Sequence, residues 1–158
     1  MRLRDKVALI SGGSRGMGAA EAQLFAEEGA TVIAMDIDVE AGKALSEKIS
    51  KSGNLVEFQE CDVTDESDWN RVTDYVVAKY GSIDVLVNNA GISSGITEDH
   101  LDTEAWHKIM AVNSTSVYLG TKIAAEIMKR QGRGSIVNIS SIMGFIGGLG
   151  HPAYNASK

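Results

Sequence analysis

Residues 7 to 18 read VALISGGSRGMG, an apolar run that is followed at once by a glycine-rich stretch. The run predicts a buried β-strand, and the helix-length amphipathic segment that begins near Gly16 completes a strand-turn-helix unit. Such a unit points backbone N–H groups and the positive end of a helix at an anion, and glycines let a pyrophosphate approach closely. The sequence therefore predicts a phosphate-binding loop made by Gly12, Ser14, Arg15, Gly16, Met17 and Gly18.

Strand-like runs and helix-length segments alternate along the rest of the chain. The predicted strands cover residues 7–10, 31–35, 55–60, 85–87 and 135–139, and the helices begin near Gly16, Val39, Glu66 and Thr103. This alternation predicts an α/β fold of the doubly wound, Rossmann type, with one parallel sheet and helices on both faces. No repeat or linker divides the chain, so we expect a single domain over residues 1–158.

Composition argues against several other kinds of protein. The chain has 158 residues, 44% of them hydrophobic, and a net charge of −6 with a pI of about 5.0. This acidic balance lacks the basic surface that nucleic-acid binding requires. No apolar stretch is long enough for a membrane span or a signal peptide. The single cysteine, Cys61, has no partner for a disulfide or a metal cluster, so we expect a buried thiol in a soluble, cytoplasmic protein without a metal.

The second predicted strand is followed by Asp36, eighteen positions beyond Gly18. An acidic residue about 20 residues beyond the loop typically binds the adenosine ribose of a dinucleotide. Its carboxylate accepts hydrogen bonds from the ribose hydroxyls and would repel a 2′-phosphate, whereas Arg15 could attract that phosphate. Because Asp36 acts at the point where the two cofactors differ, we predict that the cofactor is NAD rather than NADP.

Two residues at the end of the sequence suggest the chemistry. Tyr154 and Lys158 are four residues apart, which places both on one face of a helix. A cation beside a phenol favours the phenolate, which is the form that accepts a proton. The pair predicts that Tyr154 exchanges a proton with a substrate oxygen while a hydride passes between the substrate carbon and a nicotinamide.

Five motifs in order make the chain resemble the short-chain dehydrogenase/reductase family. They are the loop spaced as Gly12, Gly16 and Gly18, the stretch Asn88-Asn89-Ala90-Gly91, the mid-helix Asn113, Ser141 thirteen residues before Tyr154, and Tyr154 with Lys158. The resemblance implies a catalytic set of Asn113, Ser141, Tyr154 and Lys158. It also implies that Asn113 distorts its helix and holds a water that links the lysine to solvent.

The same resemblance implies how the cofactor is held beyond the glycine loop. Asp62, followed by Val63, would meet the amino group of the adenine, although Asp62 could equally lead into the next helix. Asn89, Ala90 and Gly91 would leave room for a ribose, and Tyr154 and Lys158 would contact the nicotinamide end.

Within the family, residues 140–145 together with 154–158 look most like bacterial secondary-alcohol and hydroxysteroid dehydrogenases. We therefore expect hydride transfer between NAD(H) and a small secondary alcohol or ketone. An NADPH-dependent 3-oxoacyl-carrier-protein reductase and an inactive dinucleotide-binding fragment remain alternatives. A sugar-nucleotide epimerase is disfavoured because the chain lacks the G-x-x-G-x-x-G loop of those relatives.

The expected substrate contacts come from the segments just before Tyr154. They are Ser141, Met143, His151 and Tyr154 itself, with Ser93, Ser94, Ile142 and Phe145 as further candidates for lining the pocket. Ser140 is the alternative to Ser141. We expect His151 to line the substrate entrance rather than carry a proton, and His100 and His107 to lie on the surface.

The predicted helix over residues 103–129 carries apolar side chains around a wide arc, from Trp106 to Met128. Such an arc predicts burial against the sheet on one side and a second subunit on the other, giving a dimer or tetramer of the full-length protein. A wide core stripe within one subunit is the alternative. Because members of the family continue past the lysine, we expect a truncated chain whose short last helix frays, with doubtful activity by itself.

Overall fold

The computed structural model describes residues 1–93, 101–148 and 150–158. Within those ranges, five parallel strands form one sheet in the order β3-β2-β1-β4-β5. The strands are β1 (Val7–Ser11), β2 (Thr31–Asp36), β3 (Val56–Glu60), β4 (Val85–Asn88) and β5 (Ser135–Asn138). Since β1 pairs with β2 on one side and β4 on the other, the winding reverses there and opens a crevice at the carboxyl ends of the strands. The predicted doubly wound fold is confirmed.

The helices connect these strands and begin where the sequence indicated. The segments are α1 (Gly16–Glu27), α2 (Val39–Ser50), α3 (Glu66–Tyr80), α4 (Thr103–Met110), a π-helical segment (Ala111–Thr115), α5 (Ser116–Gln131), a 3₁₀ turn (Ile142–Gly144) and α6 (Pro152–Ser157). Aspartates cap the N-termini of three helices, because their carboxylates accept backbone N–H groups that have no partner within the helix. Asp38 caps α2, Asp65 caps α3 and Asp102 caps α4.

The sheet is covered on both faces by separate apolar clusters. Side chains alternate along a strand, so Leu9 of β1 joins one cluster while Ile10 joins the other. The first cluster contains Trp69 of α3, which is only 1% exposed and donates its ring N–H to the carbonyl of Val63 at 2.9 Å. The second contains Ala22 of α1. Burial on both faces explains why β1 is apolar along nearly its whole length.

The predicted helix over residues 103–129 is interrupted around Asn113, where the resemblance to the family implied a distortion. The backbone widens into a π-helical turn over Ala111–Thr115, where the N–H of Ser116 bonds to the carbonyl of Ala111, five residues earlier. The apolar pattern alone does not identify such a turn, because the apolar side chains of this segment already cover a wide arc. The strand boundaries shift slightly as well: Leu55 lies outside β3 and Ile139 outside β5.

The wide apolar arc of α4 and α5 is only partly covered. Leu119, Ala124 and Met128 of α5 are buried in the core, whereas Trp106 of α4 is 39% exposed and Tyr118 of α5 is 62% exposed. The subunit interface therefore stays a prediction. Among the residues described, no helix is long and apolar enough to cross a membrane.

A buried carboxylate joins the starting points of three strands. Asp84, which is 5% exposed, accepts hydrogen bonds from the N–H of Val7 at 3.0 Å, from Ser82 Oγ at 3.1 Å and from Arg133 Nε at 2.8 Å. Burial alone would raise the pKa of Asp84, but the hydrogen bonds from Arg133, Val7 and Ser82 outweigh it and hold the pKa below its usual value. The ionised form is thus the one that stabilises the fold.

We predict that Asp84→Asn lowers the free energy of unfolding by about 1–3 kcal/mol at pH 7, because the amide cannot accept all three donors. The carboxylate's contribution is complete above its unfolded pKa of about 3.9 and is lost as the pH falls through the lower folded value. Urea unfolding at pH 7 and pH 3 measures both effects. Exposed Asp74 is the control, and equal losses for Asp74→Asn and Asp84→Asn would contradict the prediction.

Candidate active site

A cavity of about 710 Å³ lies at the carboxyl ends of the central strands. Most of the residues predicted to bind a cofactor line it. They are Gly12, Arg15, Gly16, Met17, Asp36, Asp62, Val63, Asn89, Ala90, Gly91, Tyr154 and Lys158. The cavity therefore brings together the glycine loop after β1, the carboxylate after β2 and the tyrosine-lysine pair of α6.

The glycines of the loop serve different purposes. A Cβ at Gly18 would lie 2.2 Å from the carbonyl oxygen of Gly12, so Gly18 lets the start of α1 pack against the loop. Gly16 has a φ of +53°, and a Cβ there would meet nothing within 4 Å, which leaves its backbone open to the cavity. The hydroxyl of Ser14 is buried without a partner among the described residues. An open backbone beside an unpaired hydroxyl fits a phosphate group.

The loop after β1 is fastened to the end of β4 by side-chain hydrogen bonds. Ser11 Oγ accepts the N–H groups of Asn89 and Ala90, both at 3.1 Å. In return, Asn89 Nδ2 donates to the carbonyls of Ser11 at 2.9 Å and Gly12 at 3.1 Å. The side chain of Asn89 therefore shapes the cavity wall. Sequence reasoning gave Ser11 no role, although a hydroxyl at the end of a buried strand is a signal of such a contact.

The carboxylate of Asp36 lies at the end of β2 and is held from both sides. Its Oδ2 accepts the N–H of Ser14 at 3.1 Å, and its Oδ1 accepts the N–H of Asp38 at 3.1 Å. Arg15 lines the same cavity, but its Nε donates to Asp38 Oδ2 at 2.7 Å. The cation that could attract a 2′-phosphate is thus paired with a carboxylate of the chain itself.

The far end of the cavity is formed by the turn after β3. Asp62 Oδ1 accepts the N–H of Thr64 at 2.9 Å and its hydroxyl at 2.7 Å, and both Asp62 and Val63 line the cavity. Cys61 beside them is buried, as predicted. Burial, followed by the nearby charge of Asp68, raises the pKa of Cys61 to about 12, so its thiol stays protonated at neutral pH.

Tyr154 and Lys158 lie close together at the opposite end of the cavity. Lys158 Nζ lies 6.0 Å from the centre of the Tyr154 ring and donates to the carbonyl of Ile139 at 3.1 Å. A Cβ at Gly91 would lie 3.2 Å from that Nζ, so the absence of a side chain there gives the lysine its room. The ammonium is therefore placed between the end of β5, the tyrosine and the segment that follows β4.

Asn113 lies in the π-helical segment and does not itself line the cavity. It is 3% exposed; its Oδ1 accepts the N–H of Ile92 at 2.8 Å, and its Nδ2 donates to the carbonyl of Ile92 and to Ser157 Oγ, both at 2.9 Å. These bonds tie the segment after Gly91 to α6. Asn113 is therefore hydrogen-bonded to Ser157, the residue that precedes Lys158.

Of the four predicted substrate residues, Tyr154 lines the cavity and the other three do not. Ser141 Oγ accepts the N–H of Met143 at 3.2 Å, and neither residue lines the cavity, nor does His151, which immediately precedes α6. Ser140 does line it and donates its hydroxyl to the carbonyl of Lys158 at 2.8 Å. Of the remaining candidates, Ser93 lines the cavity, Ile142 and Phe145 are exposed, His107 is exposed on α4, and Ser94 and His100 fall outside the described residues.

Several lining residues were missed by sequence reasoning. They are Ile37, Cys61, Ile92, Lys108, Val112 and Ile139. Helical spacing could have indicated two of them, because Val112 adjoins Asn113 and Lys108 lies four residues before Val112 on the same face.

The sequence matches the model of the short chain dehydrogenase family over residues 6–158. The chain belongs to the short-chain dehydrogenase family. It is 41% identical to cyclopentanol dehydrogenase of Comamonas testosteroni and 44% identical to 3-alpha-(or 20-beta)-hydroxysteroid dehydrogenase of Mycobacterium tuberculosis, each over 99% of this chain. The crystal structure of NAD⁺-bound xylitol dehydrogenase superimposes with a TM-score of 0.94 at 30% identity over 100% of the chain.

The chain spans 63% of the length of this cyclopentanol dehydrogenase, 59% of the hydroxysteroid dehydrogenase and 61% of the xylitol dehydrogenase. The matched part of each relative corresponds to the five-stranded sheet of this chain and to the segment that carries Tyr154 and Lys158.

We predict that Asn113→Asp lowers the free energy of unfolding by about 1–3 kcal/mol, because the carboxylate cannot donate to Ile92 and Ser157 and faces a carbonyl instead. Urea unfolding monitored by tryptophan fluorescence gives the value. Asn70→Asp on the exposed side of α3 is the matched control and should change stability by less than about 0.5 kcal/mol. Similar values for the two variants would show that the contacts of Asn113 stabilise nothing.

Proposed function

We propose that the protein transfers a hydride between NAD(H) and a small secondary alcohol or ketone, with Tyr154 as the general acid and base. The observation that carries this proposal is the single cavity that runs from Asp36 and the glycine loop to Tyr154 and Lys158. The relatives that act on cyclopentanol and on hydroxysteroids support a cyclic secondary alcohol as the class of substrate.

The residues present fit the cofactor along its whole length. The pyrophosphate would meet the open backbone at Gly16 and the unpaired hydroxyl of Ser14. The adenosine ribose would meet Asp36, and the adenine would lie near Asp62 and Val63. The nicotinamide of the bound cofactor supplies the hydride acceptor or donor.

At the other end of the cavity, the residues of α6 handle the proton. In alcohol oxidation, the tyrosinate oxygen of Tyr154 takes the proton from the substrate hydroxyl as the hydride leaves the same carbon; in ketone reduction it returns that proton. The ammonium of Lys158, which lies 6.0 Å from the centre of the Tyr154 ring, would favour negative charge on the Tyr154 oxygen and would also hold the nicotinamide ribose. Asn113 positions this lysine through Ser157, and Ser141 donates a hydrogen bond to the substrate oxygen.

Cofactor choice follows from charge. The carboxylate of Asp36 lines the ribose end of the cavity and would repel a 2′-phosphate there, so NAD is the proposed cofactor rather than NADP. We also propose that the protein works in the cytoplasm and that the exposed side chains of Trp106 and Tyr118 lie in a contact between subunits of a homo-oligomer.

We predict a higher kcat/KM with NAD than with NADP in the oxidation of secondary alcohols, cyclopentanol among them, measured by the absorbance of the reduced nicotinamide. The repulsion at Asp36 is the reason. A preference for NADP together with turnover of carrier-bound 3-oxoacyl groups would instead favour an oxoacyl reductase.

We predict that Tyr154→Phe lowers kcat by about 100-fold or more, because the ring remains while the group that exchanges the proton is gone. The matched control is Tyr118→Phe, which removes a hydroxyl from a tyrosine that is 62% exposed on α5 and outside the cavity. Steady-state kinetics under saturating cofactor measures both, and retention of most of the activity in Tyr154→Phe would refute the assignment.

We predict that Ser141→Ala lowers kcat more than Ser140→Ala does. The hydroxyl of Ser140 already bonds to the backbone at Lys158, whereas that of Ser141 accepts one N–H and keeps its own proton for a substrate oxygen. Kinetics of the two variants in parallel distinguish the roles. If Ser140→Ala were the more damaging change, the two serines would have to be exchanged in the mechanism.

A further inference from the structure

Asp38 stands just beyond β2, and its carboxylate has two different partners. Its Oδ1 accepts the N–H of Ala41 at 3.0 Å and so caps α2. Its Oδ2 accepts Arg15 Nε at 2.7 Å, with the second guanidinium nitrogen at 2.5 Å. One carboxylate therefore fixes the start of a helix and holds the arginine of the glycine loop.

These contacts belong to a closed ring of four residues. Ser14 donates its N–H to Asp36, Asp36 accepts the N–H of Asp38, and Asp38 binds Arg15, which directly follows Ser14 in the chain. The ring joins the loop after β1 to the loop after β2, and both loops border the ribose end of the cavity. Arg15 is thus held beside Asp36 with its charge already engaged.

The charges in this ring decide what a 2′-phosphate would meet. The N–H of Ala41 and then the guanidinium of Arg15 lower the pKa of Asp38, so its carboxylate is ionised at neutral pH. The ring contains two acidic side chains and one basic side chain. A phosphate at the ribose needs a cation. Arg15 is the basic residue that the ring holds next to Asp36, and its charge is already balanced by Asp38.

We infer that Asp38 is a second specificity-determining residue for the cofactor, because it holds the guanidinium of Arg15 and so withholds that cation from a 2′-phosphate. This inference rests on the proposed use of NAD(H). It differs from the effect of Asp36, which would act directly on the ribose: Asp38 acts through Arg15.

The test is the variant Asp38→Asn, which removes the charge and keeps the cap, since asparagine caps helices as well as aspartate. Dissociation constants of NADH and NADPH are measured by fluorescence titration at physiological salt without substrate. Freed from an exposed ion pair, Arg15 should strengthen NADPH binding by about three- to tenfold. The constant for NADH should change by less than about twofold, because that nucleotide has no 2′-phosphate.

A double-mutant cycle shows whether the effect passes through Arg15. In the Arg15→Gln background, Asp38→Asn should change NADPH binding by less than about twofold. The matched control is Asp102→Asn, which removes an equal charge from the cap of α4, where Asp102 accepts the N–H groups of Glu104 and Ala105 outside the cavity. Asp38→Ser, which also keeps a cap, replaces Asp38→Asn if the latter lowers the melting temperature.

The inference is overturned if both Asp38 variants leave NADPH binding unchanged, if the gain persists without Arg15, or if NADH and NADPH weaken together. If any of those results is obtained and the wild-type protein binds NADH more tightly than NADPH, the inference fails but the proposed function does not. Wild-type protein that binds NADPH more tightly than NADH contradicts the proposed cofactor itself.

Discussion

The hydrogen bonds between Ser11 and Asn89 hold the loops after β1 and β4 in place where the sheet changes its direction of winding. They join the ends of β1 and β4, the two neighbouring strands whose following loops form opposite walls. A crevice at such a switch point is a consequence of topology, but its width depends on how the two loops are held. Gly12 contributes as well, since a Cβ there would lie 2.9 Å from the Cα of Ala90. The shape of the cavity next to the glycine loop thus depends on hydrogen bonds between Ser11 and Asn89 at the edge of an apolar core.

The end of the cavity at Tyr154 and Lys158 depends on a second set of hydrogen bonds, which hold α6 in place. Helix α6 has six residues, too few to be stable alone in water. Its partners are tertiary: Asn113 bonds to Ser157, Ser114 donates to the carbonyl of Ser157, and Ser140 donates to the carbonyl of Lys158. These bonds come from the π-helical segment and from the end of β5. Tyr154 and Lys158 are consequently oriented by other elements rather than by their own helix.

Local patterns in the sequence predicted the sheet, the helix starts and the glycine loop. The remaining cofactor residues were predicted from the resemblance to the family. Apolar runs mark β1, aspartates mark helix caps, and the glycines mark the loop at Gly12. The contacts missed were those between residues far apart in the chain, which no local pattern encodes. The pairing of Arg15 with Asp38 and the hydrogen bond from Asn113 to Ser157 are of this kind.

The proposed reaction passes a hydride between a substrate carbon and the nicotinamide of NAD in this cavity. Its most direct measurement uses a secondary alcohol that carries deuterium on the carbinol carbon, mixed with the protein and NAD, followed by mass spectrometry of the nucleotide. The account predicts NADH that has gained the deuterium from the alcohol. NADH without deuterium, or a deuterated alcohol left unchanged in the presence of NAD, would contradict it.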